Sequence, residues 1–184
     1  GASDTAAALG GYGVATVHVA EHDALATHAP AALGRSLTEL AGRLSSPAVV
    51  GPGTERGNEV LAHAAAIGDL PLAANCTAVE PGAELTVTRV RWGGSLLEEA
   101  RVSGDLKLLT VAPHTVQAEQ TGGDPAAVEP FAPALQDADL VARVNEQVTP
   151  DTGGGVSLSD ARFVVSCGRG AGSPEGFAPA EELA

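Results

Sequence analysis

The stretch Phe163-Val-Val-Ser-Cys-Gly-Arg169-Gly-Ala-Gly172-Ser-Pro-Glu-Gly-Phe177 holds the residues of this chain best suited to chemistry. It reads as a buried strand, then a glycine-rich turn carrying one arginine, then the first turn of a helix. Gly168, Gly170 and Gly172 let the backbone approach a ligand closely and expose amide hydrogens. Ser173 can cap the helix that follows, with Pro174 at its first position. A helix start offers partial positive charge to a phosphate. Arg169 adds a permanent charge that can fork onto a phosphate or lie against a cofactor ring. The arrangement suits a bound phosphate or cofactor at residues 168–173, although a glycine-rich turn by itself is more often just a tight connection.

Other reactive side chains stand in poorer settings. His18 alternates with Val17 and Val19 in a strand and reads as structural. His22 and His28 lie near Glu21 and Asp23, at a spacing that suits no standard metal site. Ser95 has no G-x-S-x-G elbow around it, so a hydrolase triad has little support. His114 follows a strand end, where ligand loops gather in open α/β sheets, but a solvated loop histidine is the better reading. Trp92, the single tryptophan, is either a core plug or a partner-facing anchor. Glu98 and Glu99 read as a solvated face. Cys76 and Cys167 form neither a CxxC pair nor a His-spaced metal pattern and read as small buried hydrophobes.

The 184 residues suit one ordinary domain and part of a second. Apolar residues make up 44% of the chain, but only one Trp, one Tyr and three Phe are among them. An aliphatic core of Ala, Val and Leu fits packed α/β layers. The net charge of −13 and a sole lysine, Lys107, exclude a nucleic-acid backbone as partner. No apolar run approaches the ~18 residues of a membrane span, so no membrane insertion is expected. Two cysteines and no signal-peptide pattern predict a reducing, cytoplasmic setting. The chain contains no Met and starts at Gly1, which predicts a processed chain or a segment of a longer one.

These residues need elements to position them. Val14–Val19 is a β-branched run and reads as a strand. Leu33, Leu37, Leu40 and Leu44 form one stripe on a helix over 31–44. Ala48–Val50 is a short buried strand, followed by a turn at Gly51–Gly57. A helix over about 58–67 turns Val60, Leu61, Ala64 and Ala65 inward, with Gly68 as its stop. Alternation of strand and helix predicts parallel strands joined by crossovers. Leu85–Trp92 and Leu96–Val102 read as a strand pair joined by a Gly93-Gly94 turn. Lys107–Ala112 is a further buried strand. Residues 116–159, with four prolines, read as linker or surface-crossing chain at Thr121–Pro125 and Thr149–Gly155, with strand potential at 138–145.

Four stretches together resemble the alpha subunit of the electron transfer flavoprotein (FixB-like) family. They are Gly51–His63, Gly68–Val79, Arg89–Gly94 with Lys107–Val111 after it, and Phe163–Phe177, in the family's order and spacing. The resemblance implies an open, mostly parallel α/β sheet with flanking helices, of the adenine-nucleotide-hydrolase-like kind, over 1–115. It implies a linker over 116–160 and the first strand-loop-helix of an FAD domain over 161–184. The family's opening strand and most of its FAD domain are expected to lie outside residues 1–184. Of the family's FAD positions only Arg169 carries over, with the turn residues Gly168, Gly170, Gly172 and Ser173 around it. Cys167 departs from the pattern, which has Gly there. If the position needs a positive φ, Cys is strained by roughly 1 kcal/mol.

The resemblance implies an electron carrier, not an enzyme with bond-making side chains. FAD would take electrons from acyl-CoA dehydrogenases of fatty acid beta-oxidation and other flavin dehydrogenases. A quinone oxidoreductase would accept them, and a beta subunit would complete a heterodimer. Residues 1–184 alone are expected not to hold FAD. Two other classes stay open: a flavin-free α/β assembly module that pairs with a beta-type subunit, and an unrelated nucleotide-binding α/β domain.

Overall fold

The computed structural model describes residues 2–144, 146, 156, 158 and 161–183. The chain divides into two compact units, Gly1–Asn145 and Glu146–Ala184.

The first unit opens with helix α1 (Ala2–Ala8), a 3₁₀ turn (Leu9–Tyr12) and strand β1 (Thr16–Ala20). Helix α2 (Pro30–Arg43), strand β2 (Ala48–Pro52), helix α3 (Glu55–Gly68) and strand β3 (Leu72–Glu80) follow. Then come β4 (Leu85–Arg91), β5 (Leu96–Val102), β6 (Lys107–Val111) and β7 (Ala127–Phe131). Among the described residues no helix is long and apolar enough to cross a membrane.

Five strands form one sheet in the order β2-β6-β3-β4-β5, and β1 pairs with β7 in a second, two-stranded sheet. The pairs β2/β6, β6/β3 and β1/β7 are parallel, while β3/β4 and β4/β5 are antiparallel. The expected mostly parallel, open α/β architecture is therefore what forms. Its crossover β1-α2-β2 joins two different sheets, so β1 and β2 are not neighbours.

The Lys107-Leu-Leu-Thr-Val111 run is buried because β6 lies between two parallel neighbours with both faces covered. Leu108 packs with Leu61 and Ala64 of α3, joined by Leu37, Val49 and Val60. Leu109 points the other way, with Ala73, Cys76, Val87 and Val102. The inward set expected for α3 thus packs as read, with Leu61 and Ala64 fully buried.

Several boundaries differ from the sequence reading. α3 starts at Glu55, because Thr54 Oγ1 accepts from the Gly57 amide at 3.1 Å and caps it. It ends on Asp69, which takes the left-handed cap (φ 50°) in place of Gly68. The leucine stripe of α2 is only half buried. The buried residues are Pro30, Ala31, Ala32, Gly34, Ser36 and Ala41, and at Gly34 the α3 backbone approaches so closely that a Cβ would lie 2.7 Å from Ala64 N. The stretch read as linker supplies β7, whose residues 127–130 are exposed and show no strand periodicity. Residues 137–140 form a 3₁₀ turn instead of a strand, with Asp139 buried beneath it. Thr149–Gly155 lies outside the described residues.

In the second unit, 3₁₀ turns span Arg169–Ala171 and Pro174–Phe177, and helix α4 spans Ala178–Leu183. The strand expected at 163–166 has no ladder partner among the described residues, and Phe163 is 85% exposed. A strand needs a neighbour to satisfy its backbone and cover its side chains, and this segment meets neither there.

Candidate functional site

The glycine-rich turn closes on itself by local hydrogen bonds. Ala171 N donates to Gly168 O, Gly172 N to Arg169 O and Ser173 N to Ala171 O, at 2.8–3.1 Å. Gly172 has φ 72°, a conformation that only glycine takes without strain. Gly168 and Gly170 have no positive φ, and a Cβ at either would meet nothing within 4 Å. Nothing in the turn itself therefore requires glycine at 168 or 170.

An open pocket of about 840 Å³ lies over this turn. Its lining brings together Gly168, Arg169, Gly172 and Ser173 with Cys167, Phe177 and Glu181, while Gly170 stands outside it. Arg169 is exposed and supplies the positive charge. Glu181 faces the same space, so the pocket is not uniformly cationic.

Ser173 has cap geometry, with Pro174 next, but its hydroxyl makes no backbone cap. The Ser173 hydroxyl, and next the Glu175 backbone amide, hold the Glu175 carboxyl below its ordinary value, against a lesser desolvation penalty. α4 has six residues and starts only at Ala178, so the expected helix-start field at the turn is weak. Cys167 is not among the residues with positive φ, and it fits its position without strain.

The remaining candidates disperse. His18 faces Glu129 on β7 at 3.5 Å, and His28 Nε2 lies 2.9 Å from Glu59. His22 Nδ1 accepts from the Ala24 amide. His114 is exposed with φ 64°, and Ser95 is exposed at the hairpin turn. Among the described residues no group of His, Cys, Asp and Glu is placed to hold a metal. Cys76 is buried at the sheet centre, and burial pushes its thiol up, against the opposing pull of Arg89.

A polar junction that the sequence did not suggest lies between α3, β3 and β6. Thr110 Oγ1 donates to Asn58 Oδ1 at 2.7 Å, and Asn58 Nδ2 donates to Asn75 Oδ1 at 3.2 Å. The Asn75 amide donates back to Thr110 Oγ1 at 2.8 Å. Asn75 holds φ 58° where the β3/β6 register shifts. Thr110 is fully buried, and the ring of bonds satisfies it. Nearby, a Cβ on Gly57 would lie 2.0 Å from Pro52 O, so the β2-α3 turn closes only with glycine there.

Residues 1–136 match the electron transfer flavoprotein domain. The chain belongs to the electron transfer flavoprotein domain family. It is 31% identical over 174 residues to a protein named electron transfer flavoprotein subunit alpha from Syntrophomonas wolfei, covering 94% of this chain and 54% of that protein. It is 33% identical over 176 residues to a protein of the same name from Mycobacterium leprae, covering 94% of this chain and 53% of that protein. Protein FixB of Escherichia coli O7:K1 is 34% identical over 114 residues, 60% of this chain and 34% of that protein. The chain spans about half the length of the two alpha-subunit relatives. Both of those matches run past residue 136, where the electron transfer flavoprotein domain match ends.

Proposed function

We propose that these residues belong to an electron transfer flavoprotein alpha subunit, an electron carrier that holds FAD. The observation that carries this reading is the similarity over 94% of the chain to two proteins of that name. In this reading FAD takes and gives the electrons, and the protein positions and tunes it. Gly168 and Gly172 would bring the backbone against the cofactor, with Ser173 at the turn's end. Arg169 would set a guanidinium on its phosphates or ring, favouring anionic forms of the flavin. Donors would be flavin dehydrogenases such as acyl-CoA dehydrogenases, and the acceptor a quinone oxidoreductase. A beta subunit would complete the heterodimer in the cytoplasm, and no side chain would make or break a substrate bond.

A second reading is favoured by one observation. Arg169 and its glycines are exposed in a small unit, and Phe163 beside them is uncovered. Such a surface buries little of a dinucleotide, which suits a flavin-free assembly module that pairs with a beta-type subunit.

Purifying the native polypeptide that contains these residues from its source cells separates the readings. The proposal expects flavin absorbance together with a second subunit, and reduced flavin occupancy in Arg169→Ala. A polypeptide that carries the second subunit without flavin supports the assembly module. A polypeptide with neither flavin nor a second subunit overturns both.

A further inference from the structure

The β4–β5 hairpin ends in a corner that its own chain does not cover. The turn from Trp92 to Ser95 closes with Ser95 N donating to Trp92 O at 3.2 Å. Gly93 (φ 59°) and Gly94 (φ 96°) have the φ signs of a type I′ turn, which matches the twist of the paired strands. Trp92 adds a third left-handed residue in a row, at φ 53°. A bulky aromatic seldom takes that conformation, and strain of this kind gathers at functional positions. It leaves the indole 81% exposed at the tip, so the core-plug alternative for Trp92 is excluded.

The strand that leaves the corner continues the apolar surface. Leu96 is 55% and Leu97 is 72% exposed, and the two point to opposite faces of β5. β5 is the outer strand of its sheet, so its free edge lies beside this patch. Residues 85–97 hold Arg89 and Arg91 and no acid, in a chain of net charge −13. Glu98 bonds Arg89 Nε at 2.7 Å and reaches the half-exposed Arg91 at 3.4 Å. Arg91 is therefore the less committed guanidinium, placed at the rim of the apolar tip. Exposed Trp with Arg at its rim is the composition of an interface anchor.

We propose that Trp92, Leu96 and Leu97 form the surface on which the partner subunit docks. The partner offers an apolar pocket to Trp92 and a carboxylate to Arg91. A second copy of the chain is disfavoured because two bodies of charge −13 repel one another. This assignment rests on the proposed pairing with a beta-type subunit.

The test is calorimetric titration of the full chain with the electron transfer flavoprotein beta subunit from the same source. Trp92→Ala is expected to weaken binding by roughly 30-fold or more, the loss typical of an interface anchor. Leu97→Asp, on the outward face of β5, is expected to weaken it similarly. Leu44→Ala, at an exposed apolar residue away from the hairpin, is expected to bind as the unmodified chain does. If the unmodified chain binds and both hairpin variants bind within about twofold of it, the corner is not the docking surface. If the unmodified chain does not bind, the pairing itself fails and the assignment falls with it. A chain that dimerises alone, and turns monomeric in Trp92→Ala, overturns the choice of partner.

Discussion

Replacing Gly34 by Ala separates helix propensity from helix packing. In an isolated helix the change stabilises by about 1 kcal/mol. In α2 the new Cβ would lie 2.7 Å from Ala64 N, 3.0 Å from His63 Cβ and 3.1 Å from His63 C. Two of those atoms are α3 backbone and cannot rotate away, so α2 and α3 must separate. Overpacking of this kind costs about 1–3 kcal/mol, which outweighs the propensity gain and leaves a net loss of about 1 kcal/mol. Gly42 lies in the same helix with nothing within 4 Å of its Cβ position. Gly42→Ala near the helix end should therefore stabilise by about 0.5 kcal/mol. Thermal unfolding followed by far-ultraviolet circular dichroism reads both, with a shift of about 3 °C per kcal/mol expected for a unit of this size. Opposite signs are expected. A raised midpoint for Gly34→Ala would refute the claim that close backbone approach dictates glycine there.

Asp139 is 3% exposed, accepts from Arg35 Nε at 3.2 and 3.3 Å, and accepts from the Gln136 amide at 2.9 Å. Asp139→Ala should destabilise by about 2 kcal/mol in denaturant unfolding, below the full buried-pair value because Arg35 keeps some solvent. A loss under about 0.5 kcal/mol would make the pair no stronger than a surface one. Glu98 is held below its ordinary value, first by the Arg89 hydrogen bond, which outweighs an opposing desolvation penalty, with lesser downward pulls from the charges of Arg89 and Arg91. Its stabilisation is present above the unfolded glutamate pKa of about 4.3 and is lost as pH falls through the lower folded value. The midpoint difference between the unmodified chain and Glu98→Gln should shrink over that acid range, and a pH-independent difference would contradict it.

The sequence by itself determined the elements whose burial repeats along the chain. Lys107–Val111 reads as a strand covered on both faces, and Val60, Leu61, Ala64 and Ala65 mark the inner side of α3, because local periodicity records which side meets water. The turn at 168–173 was legible as a candidate site, since glycine and arginine identities carry their backbone freedom and charge with them. The hairpin at Gly93-Gly94 was legible for the same reason. Tertiary structure decided what depends on distant partners. β7 is exposed along residues 127–130 and becomes a strand only because β1 lies parallel to it. Asn58, Asn75 and Thr110 are separated by up to 52 residues and share one set of hydrogen bonds only after α3, β3 and β6 are packed. The same packing moved the buried face of α2 from its leucines to its small residues. Apolar pattern alone proposed a buried strand at 163–166, but burial requires a covering neighbour, which those residues do not have among the described ones. Trp92 shows the division most directly. Its identity allowed a plug or an anchor, and three successive left-handed residues turned it outward.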